Sequence, residues 1–119
     1  MGKDMLLKID HASNQPLHDQ VAAQLRTAIA SGELSPGERL PPSRDLAQGL
    51  DVNMHTVLRA LATLRDEGLV DVRRGRGTTV TGQAPLLAGV VELVHTLVVE
   101  ARRQGISDPQ LRTLLDEAL

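Results

Sequence analysis

The chain of 119 residues contains no cysteine and no phenylalanine, tyrosine or tryptophan. Without cysteine there can be no disulfide, no thiolate nucleophile and no thiolate-bound zinc. Without aromatic rings no base can be stacked, which excludes modules that hold single strands on aromatic platforms. The core must therefore be built from Leu, Val, Ile, Ala and Met. Apolar residues supply 41% of the chain, enough for one compact domain with an appendage, so wholesale disorder is not expected. No charged-then-apolar leader opens the sequence, and no uninterrupted apolar run approaches the ~18 residues of a membrane span. The expectation is a cytoplasmic protein with no membrane partner.

A large excess of charge is also missing, since the net charge is −2. Net charge describes an average, whereas binding depends on where charge sits. Arg39, Arg44, Arg59, Arg65, Arg73, Arg74 and Arg76 fall in the middle of the chain, while Glu92, Glu100, Asp108, Asp116 and Glu117 fall in its last third. Catalytic groupings are absent. His11, His18, His55 and His95 are scattered, with no HxxxH pair and no clustered carboxylates. His11 and His18 lie near Asp10 and Asp19, which leaves a metal site conceivable, but solvated histidines are the simpler account. The "GRG" at 75–77 lacks the lysine and hydroxyl of a phosphate-binding loop. Neither an enzyme, nor a cofactor, nor a metal site is expected.

What is present is periodic. "MLLKID" (5–10) has the content of a short strand within an N-terminal arm, 1–14. Leu17, Val21, Leu25 and Ile29 then recur every four residues with Ala22 and Ala28 beside them, describing one helix face. Pro16 suits the first helical position and Gly32 the stop. "SGELSPGERLPPS" (31–43) reads as a connection, with Ser43 as the N-cap of a short helix "RDLAQGL". Asp51 stands where a sharp turn is needed and tolerates left-handed geometry. Asn53 can cap a further helix to about Glu67, with Val57, Ala60, Leu61 and Leu64 inward.

Two helices joined by so tight a turn make a helix-turn-helix. Gly68 ends the second helix, and β-branched residues support strands over Leu69–Arg73 and Thr78–Thr81 around a glycine-containing tip. A hairpin in this position makes the unit a winged helix, expected over 15–82. From 83 to 119 two helices follow, one after Pro85 and one capped by Ser107 with Gln110 in the spacing of a capping box. Leu86, Leu87, Val90, Val91, Leu93, Val94, Leu97, Val98 and Val99 cover more than one face of the first of these. Glu92, His95 and Glu100 interrupt it, which disfavours lipid contact. A helix so apolar needs a cover, and a second copy related by two-fold symmetry is the simplest one. The fold class expected is mostly α with a small β-hairpin wing: a winged helix-turn-helix plus a two-helix dimerisation segment. Leu86, Val90, Val94, Leu97, Val98, Leu111, Leu114 and Leu115 are the expected dimer contacts.

The pieces "PLHDQV", "GELSPGERLPPSRDLA", "NMHTVLRAL", "DEGLV" and "RRGRGTTV", in that order and spacing, resemble the N-terminal DNA-binding domain of the GntR family of bacterial transcription regulators. The tail through "GISDPQLRTLLDEAL" is similar to that of the YtrA-like subfamily, which uses two helices for dimerisation in place of a large ligand-binding domain. The resemblance implies that Arg44 lies near a phosphate or base edge. It implies that the helix after Asn53 is the recognition helix, with Asn53, His55, Thr56 and Arg59 facing the groove. It makes Arg73–Thr79 the wing. Met54 stands where family members often carry Arg or Pro, and Asp51 where they often carry Gly, so base preference does not transfer.

The chemistry of these residue types agrees. Asn53 and His55 offer hydrogen bonds to base edges, and Met54 and Thr56 offer methyls to thymine. Asn53 and Thr56 can equally be no more than a helix cap. Arg59 suits a guanine or a phosphate. Arg73, Arg74 and Arg76, set among Gly75, Gly77 and Thr78 with no acid between them, suit phosphates and a narrow minor groove. Arg39 has carboxylates nearby in Glu38 and Asp45 and is expected to pair with one of them. The expected function is a homodimeric repressor that binds an inverted-repeat operator in double-stranded DNA. The alternative is a winged-helix protein-interaction module without DNA binding. A tail this short disfavours a large metabolite pocket and leaves open whether a small effector binds at the dimer seam.

Overall fold

In the computed structural model the chain is described from Lys8 to Leu119. The first helix, α1 (Leu17–Ser31), follows Pro16, whose φ of −54° and ψ of 142° keep it outside the helix. Pro16 is thus the N-cap and not the first helical residue. Gly32 ends α1 in the left-handed region, at φ 85°. The expected strand at 5–10 lies partly on 5–7, outside the described residues, and Lys8–Asp10 form no strand. Their backbone groups go instead to glutamine side chains of α1. Buried Gln20 accepts from the Asp10 N–H (2.8 Å) and donates to the carbonyls of Asp10 and Gln15, while Gln24 brackets Lys8.

The second helix, α2 (Ser43–Leu50), differs from expectation at its start. Pro42 is the N-cap, and Ser43 is the first helical residue and makes no capping bond. The Pro42 carbonyl receives the Leu46 N–H at 3.0 Å. At the other end Asp51 takes φ 54°, ψ 48°, the one non-glycine residue with positive φ among those described. The third helix, α3 (Met54–Asp66), is capped as expected, with Asn53 Oδ1 accepting from the Thr56 N–H at 2.8 Å. Its buried stripe of Val57, Ala60, Leu61 and Leu64 meets Val21, Leu25 and Ile29 of α1 in one core.

Strands β1 (Val70–Arg73) and β2 (Gly77–Val80) pair antiparallel, Val70 opposite Val80 and Arg73 opposite Gly77. The connection 31–43 is more ordered than its Gly and Pro content suggests. Leu34 and Leu40 are buried, and the Leu40 N–H donates to the Thr78 carbonyl (2.8 Å) while Val80 donates to the Glu38 carbonyl (2.9 Å). With the bridge between Arg39 and Thr79, the connection lies along β2 as a third, outer strand segment.

Helix α4 (Ala84–Arg103) and helix α5 (Asp108–Ala118) complete the chain. Contacts divide the molecule into a first unit ending at Gly89 and a second, Val90–Leu119. The division anticipated at 82/83 would leave out Ala84, Leu87 and Ala88, which the first core takes in. In the second unit Ser107 caps α5 by accepting from the Gln110 N–H (3.3 Å). By length and composition α4 could cross a membrane. Glu92 and His95 break the apolar run but leave its mean hydropathy high, at 1.6. A span would have to withdraw Ala84 and Ala88, both 0% exposed, from the first core.

One buried ion pair ties the first unit together. Arg26 of α1 donates from Nε and Nη2 to both carboxylate oxygens of Glu67, at 2.9 and 2.8 Å. Glu67→Ala strands the buried guanidinium and should cost about 3 kcal/mol in urea unfolding. The Arg26→Met/Glu67→Met double variant, which leaves no orphan charge, should lose less than either single alanine variant.

Candidate nucleic-acid interface

At about 100° per residue, the buried stripe of α3 leaves His55, Arg59 and Ala62 on its outward face, with Asp66 at the far end. His55 and Arg59 are exposed, as are Asn53 and Met54. Asp66 would oppose a phosphate, so only the first two turns suit a polyanion. Thr56 is half-buried, and its Oγ1 donates to the same Asn53 Oδ1 (3.1 Å) that receives its own N–H. Both helix-cap residues are thus engaged with each other, and Asn53 keeps its amide donors.

Sequence reasoning did not single out Leu58. It lies one turn beyond Met54, and each is 46% exposed. The signal was available, because position 58 falls outside the inward stripe of Val57, Ala60, Leu61 and Leu64.

The wing tip is Arg74–Gly75–Arg76, closed by the Arg76 N–H donating to the Arg73 carbonyl at 3.0 Å. Gly75 and Gly77 take φ of 79° and 82°, which glycine alone adopts without penalty. Two expectations need correction here. Thr78 is only 6% exposed and its carbonyl is taken by Leu40, so its side chain is closed to a ligand. Arg73 is not a free cation: its Nε donates to Asp71 Oδ2 at 2.8 Å. That hydrogen bond, on the same face of β1 two residues back, holds the guanidinium pKa above its ordinary value.

Arg39 also departs from expectation. It pairs with neither Glu38 nor Asp45, but reaches across to donate from Nη2 to the Arg76 carbonyl. A Cβ on Gly77 would meet its Nε at 3.0 Å. Arg39 therefore braces the wing tip from the connection, and Gly77 is glycine for two reasons, its φ and this close approach.

Charge pairing separates the arginines into two groups. Arg26, Arg65, Arg73, Arg102 and Arg103 each hold a carboxylate, from Glu67, Asp66, Asp71, Asp108 and Glu100. Among the described residues the side chains of Arg44, Arg59, Arg74 and Arg76 hold none, and all four are exposed at the start of α2, on α3 or at the wing tip. Arg39, which holds the Arg76 carbonyl instead, and Arg112 of α5 are the other arginines without one among the described residues.

A helix-turn-helix, a wing, and unneutralised arginines on both define a winged-helix DNA-binding transcription regulator. The chain belongs to the gntR family of bacterial regulatory proteins, whose model matches residues 17–80. These are regulators and not enzymes. The chain is 30% identical to the HTH-type transcriptional repressor YtrA of Bacillus subtilis (strain 168), over 94% of this chain and 91% of that protein. Among solved structures it is similar to YtrA from Sulfolobus acidocaldarius, a GntR-family transcription factor. There the TM-score is 0.61 and the identity 38%, covering 76% of this chain and 98% of the other. It also resembles AraR(DBD) in complex with operator ORE1, at TM-score 0.56 and 28% identity, over 64% of this chain and 95% of that one.

Removing the brace tests the wing. Arg39→Ala should lower stability by about 1 kcal/mol and speed amide exchange at Arg76 and Gly77. Gly77→Ala should cost about 2 kcal/mol, because the left-handed φ adds to the collision.

Proposed function

We propose that the protein is a cytoplasmic, homodimeric repressor that binds an inverted-repeat operator. The first two turns of α3 enter the major groove and the wings lie over flanking minor grooves. The observation that carries the DNA contacts is the set of exposed arginines on α2, α3 and the wing tip that hold no carboxylate among the described residues, Arg44, Arg59, Arg74 and Arg76. An arginine that keeps its charge exposed is ready to displace the counterions condensed on duplex DNA. In this reading His55 and Arg59 select bases, Asn53 and Met54 assist, and Arg74, Arg76 and the Gly75–Gly77 backbone supply affinity and shape readout. Arg44, at the second position of α2, meets the phosphate chain, where helix N-termini also favour anions. Thr78 is left out, and Thr56 acts mainly through its cap. The repressor reading is supported by the likeness to the transcriptional repressor YtrA of Bacillus subtilis.

Dimerisation is supported by α4. Leu86, Val90, Leu93 and Leu97 repeat at intervals of four, three and four residues, the spacing of a coiled-coil seam, with Val94 beside them. All five are exposed, Leu86 at 83% and Leu93 at 70%. Leu93 joins the expected contacts on this ground, while half-buried Val98 lies to one side of the seam. Leu114 and Leu115 of α5 are exposed and Leu111 is half-buried. The winged-helix protein-interaction module has no observation in its favour.

Two measurements test these readings. Affinity for the promoter beside the protein's own gene should fall steeply with salt, and Arg74→Ala should reduce the log–log slope by about one. His55→Ala should change base preference and leave the slope alone. A flat salt dependence would sink the phosphate contacts. In sedimentation, the wild type should be a dimer, and Leu97→Glu, which buries an unpaired carboxylate in the seam, a monomer with weaker operator binding. A monomeric wild type would remove the dimer from the proposal.

A further inference from the structure

An exposed leucine is unremarkable by itself. On α3, however, Met54 and Leu58 stand together. Leu58 follows Met54 by four residues, so at 1.5 Å rise the two are about 6 Å apart along the axis and about 40° apart around it. Each is 46% exposed. Neither joins the core cluster of Val57, Ala60, Leu61 and Leu64 on the same helix. They lie beside His55 and Arg59, on the two turns that enter the groove in the proposed function. A helix gains nothing from two large apolar side chains in water at that place.

The major groove offers few apolar partners. Among base edges only thymine presents one, its C5-methyl group. We infer that Met54 and Leu58 form an apolar reading strip that selects thymines by their methyl groups. Leu58 is the new element, and its branched side chain extends the contact begun by Met54. Base pairs are stacked at 3.4 Å, so side chains about 6 Å apart address methyls one or two base pairs apart. His55 and Arg59, alongside, take the hydrogen-bonding edges. The division of labour is that polar groups identify the purines and the strip identifies thymines between or beside them. This inference rests on α3 being the helix that enters the groove.

Uracil differs from thymine only by that methyl, so it tests the strip without altering any hydrogen bond. The full-length protein would be used to enrich duplexes from a random-sequence pool. The strongest binder would then be resynthesised with uracil at one thymine at a time. Each methyl read by the strip should be worth about fourfold in affinity. Loss is expected at one or two thymines per half-site. Leu58→Ala or Met54→Ala should then bind the thymine and uracil duplexes equally at those positions. Alanine is the best helix former and both sites are exposed, so α3 is retained.

Sequence-selective binding with no loss at any uracil would overturn the strip and leave the DNA interface standing. A loss at uracil that persists in both alanine variants would assign the methyl to other residues and overturn it equally. Failure to enrich any duplex would bring down the recognition-helix reading beneath it, an outcome distinguishable from the other two.

Discussion

The bidentate pair between Arg26 and Glu67 joins the middle of α1 to the residue that closes α3. Its position matters more than its energy, since a buried ion pair is seldom a net source of stability. Gly68 follows at once with φ 82°, and β1 begins two residues later. The pair therefore fixes where α3 stops and the angle from which the wing departs. A Cβ on Gly68 would meet Leu87 Cδ2 at 3.0 Å, so the same corner also seats the first turns of α4. Helix, wing and α4 are all referenced to one desolvated guanidinium.

Much of this was legible because it is written locally. Asn53 caps three residues ahead, Asp51 announces a left-handed turn, and Val57, Ala60, Leu61 and Leu64 show their stripe within two turns. What was not legible depends on residues far apart in the chain. The bond from Arg39 to the Arg76 carbonyl spans 37 positions, and nothing near Arg39 signals it. Glu38 and Asp45 were the nearer candidates, and the bridge between Arg39 and Thr79 turns the arginine away from them. Prolines misled in a simpler way. Pro16 and Pro42 each take an extended ψ and stand outside their helices as N-caps, so α1 starts one residue later, and α2 one residue earlier, than the local chemistry suggests.

The candidate site divides along the same line. Exposure of His55 and Arg59 follows from helical period alone. The withdrawal of Thr78 into the sheet and of Arg73 onto Asp71 follows from strand register, which a short β-branched sequence leaves undetermined. The acidic average of the chain conceals its interface because five arginines are matched by carboxylates, while four exposed ones, Arg44, Arg59, Arg74 and Arg76, gather on the helix-turn-helix and wing without one among the described residues.

The cap at the start of α3 carries a further consequence. An asparagine can grip adenine with both ends of its amide, giving a hydrogen bond from nitrogen and taking one on oxygen. Asn53 Oδ1 already receives the N–H and the hydroxyl of Thr56. What Asn53 has left is a donor, and a lone donor finds the N7 of adenine and of guanine equally acceptable. The residue that orders the reading helix has thereby given up the means to tell one purine from the other, and that discrimination passes to its neighbours.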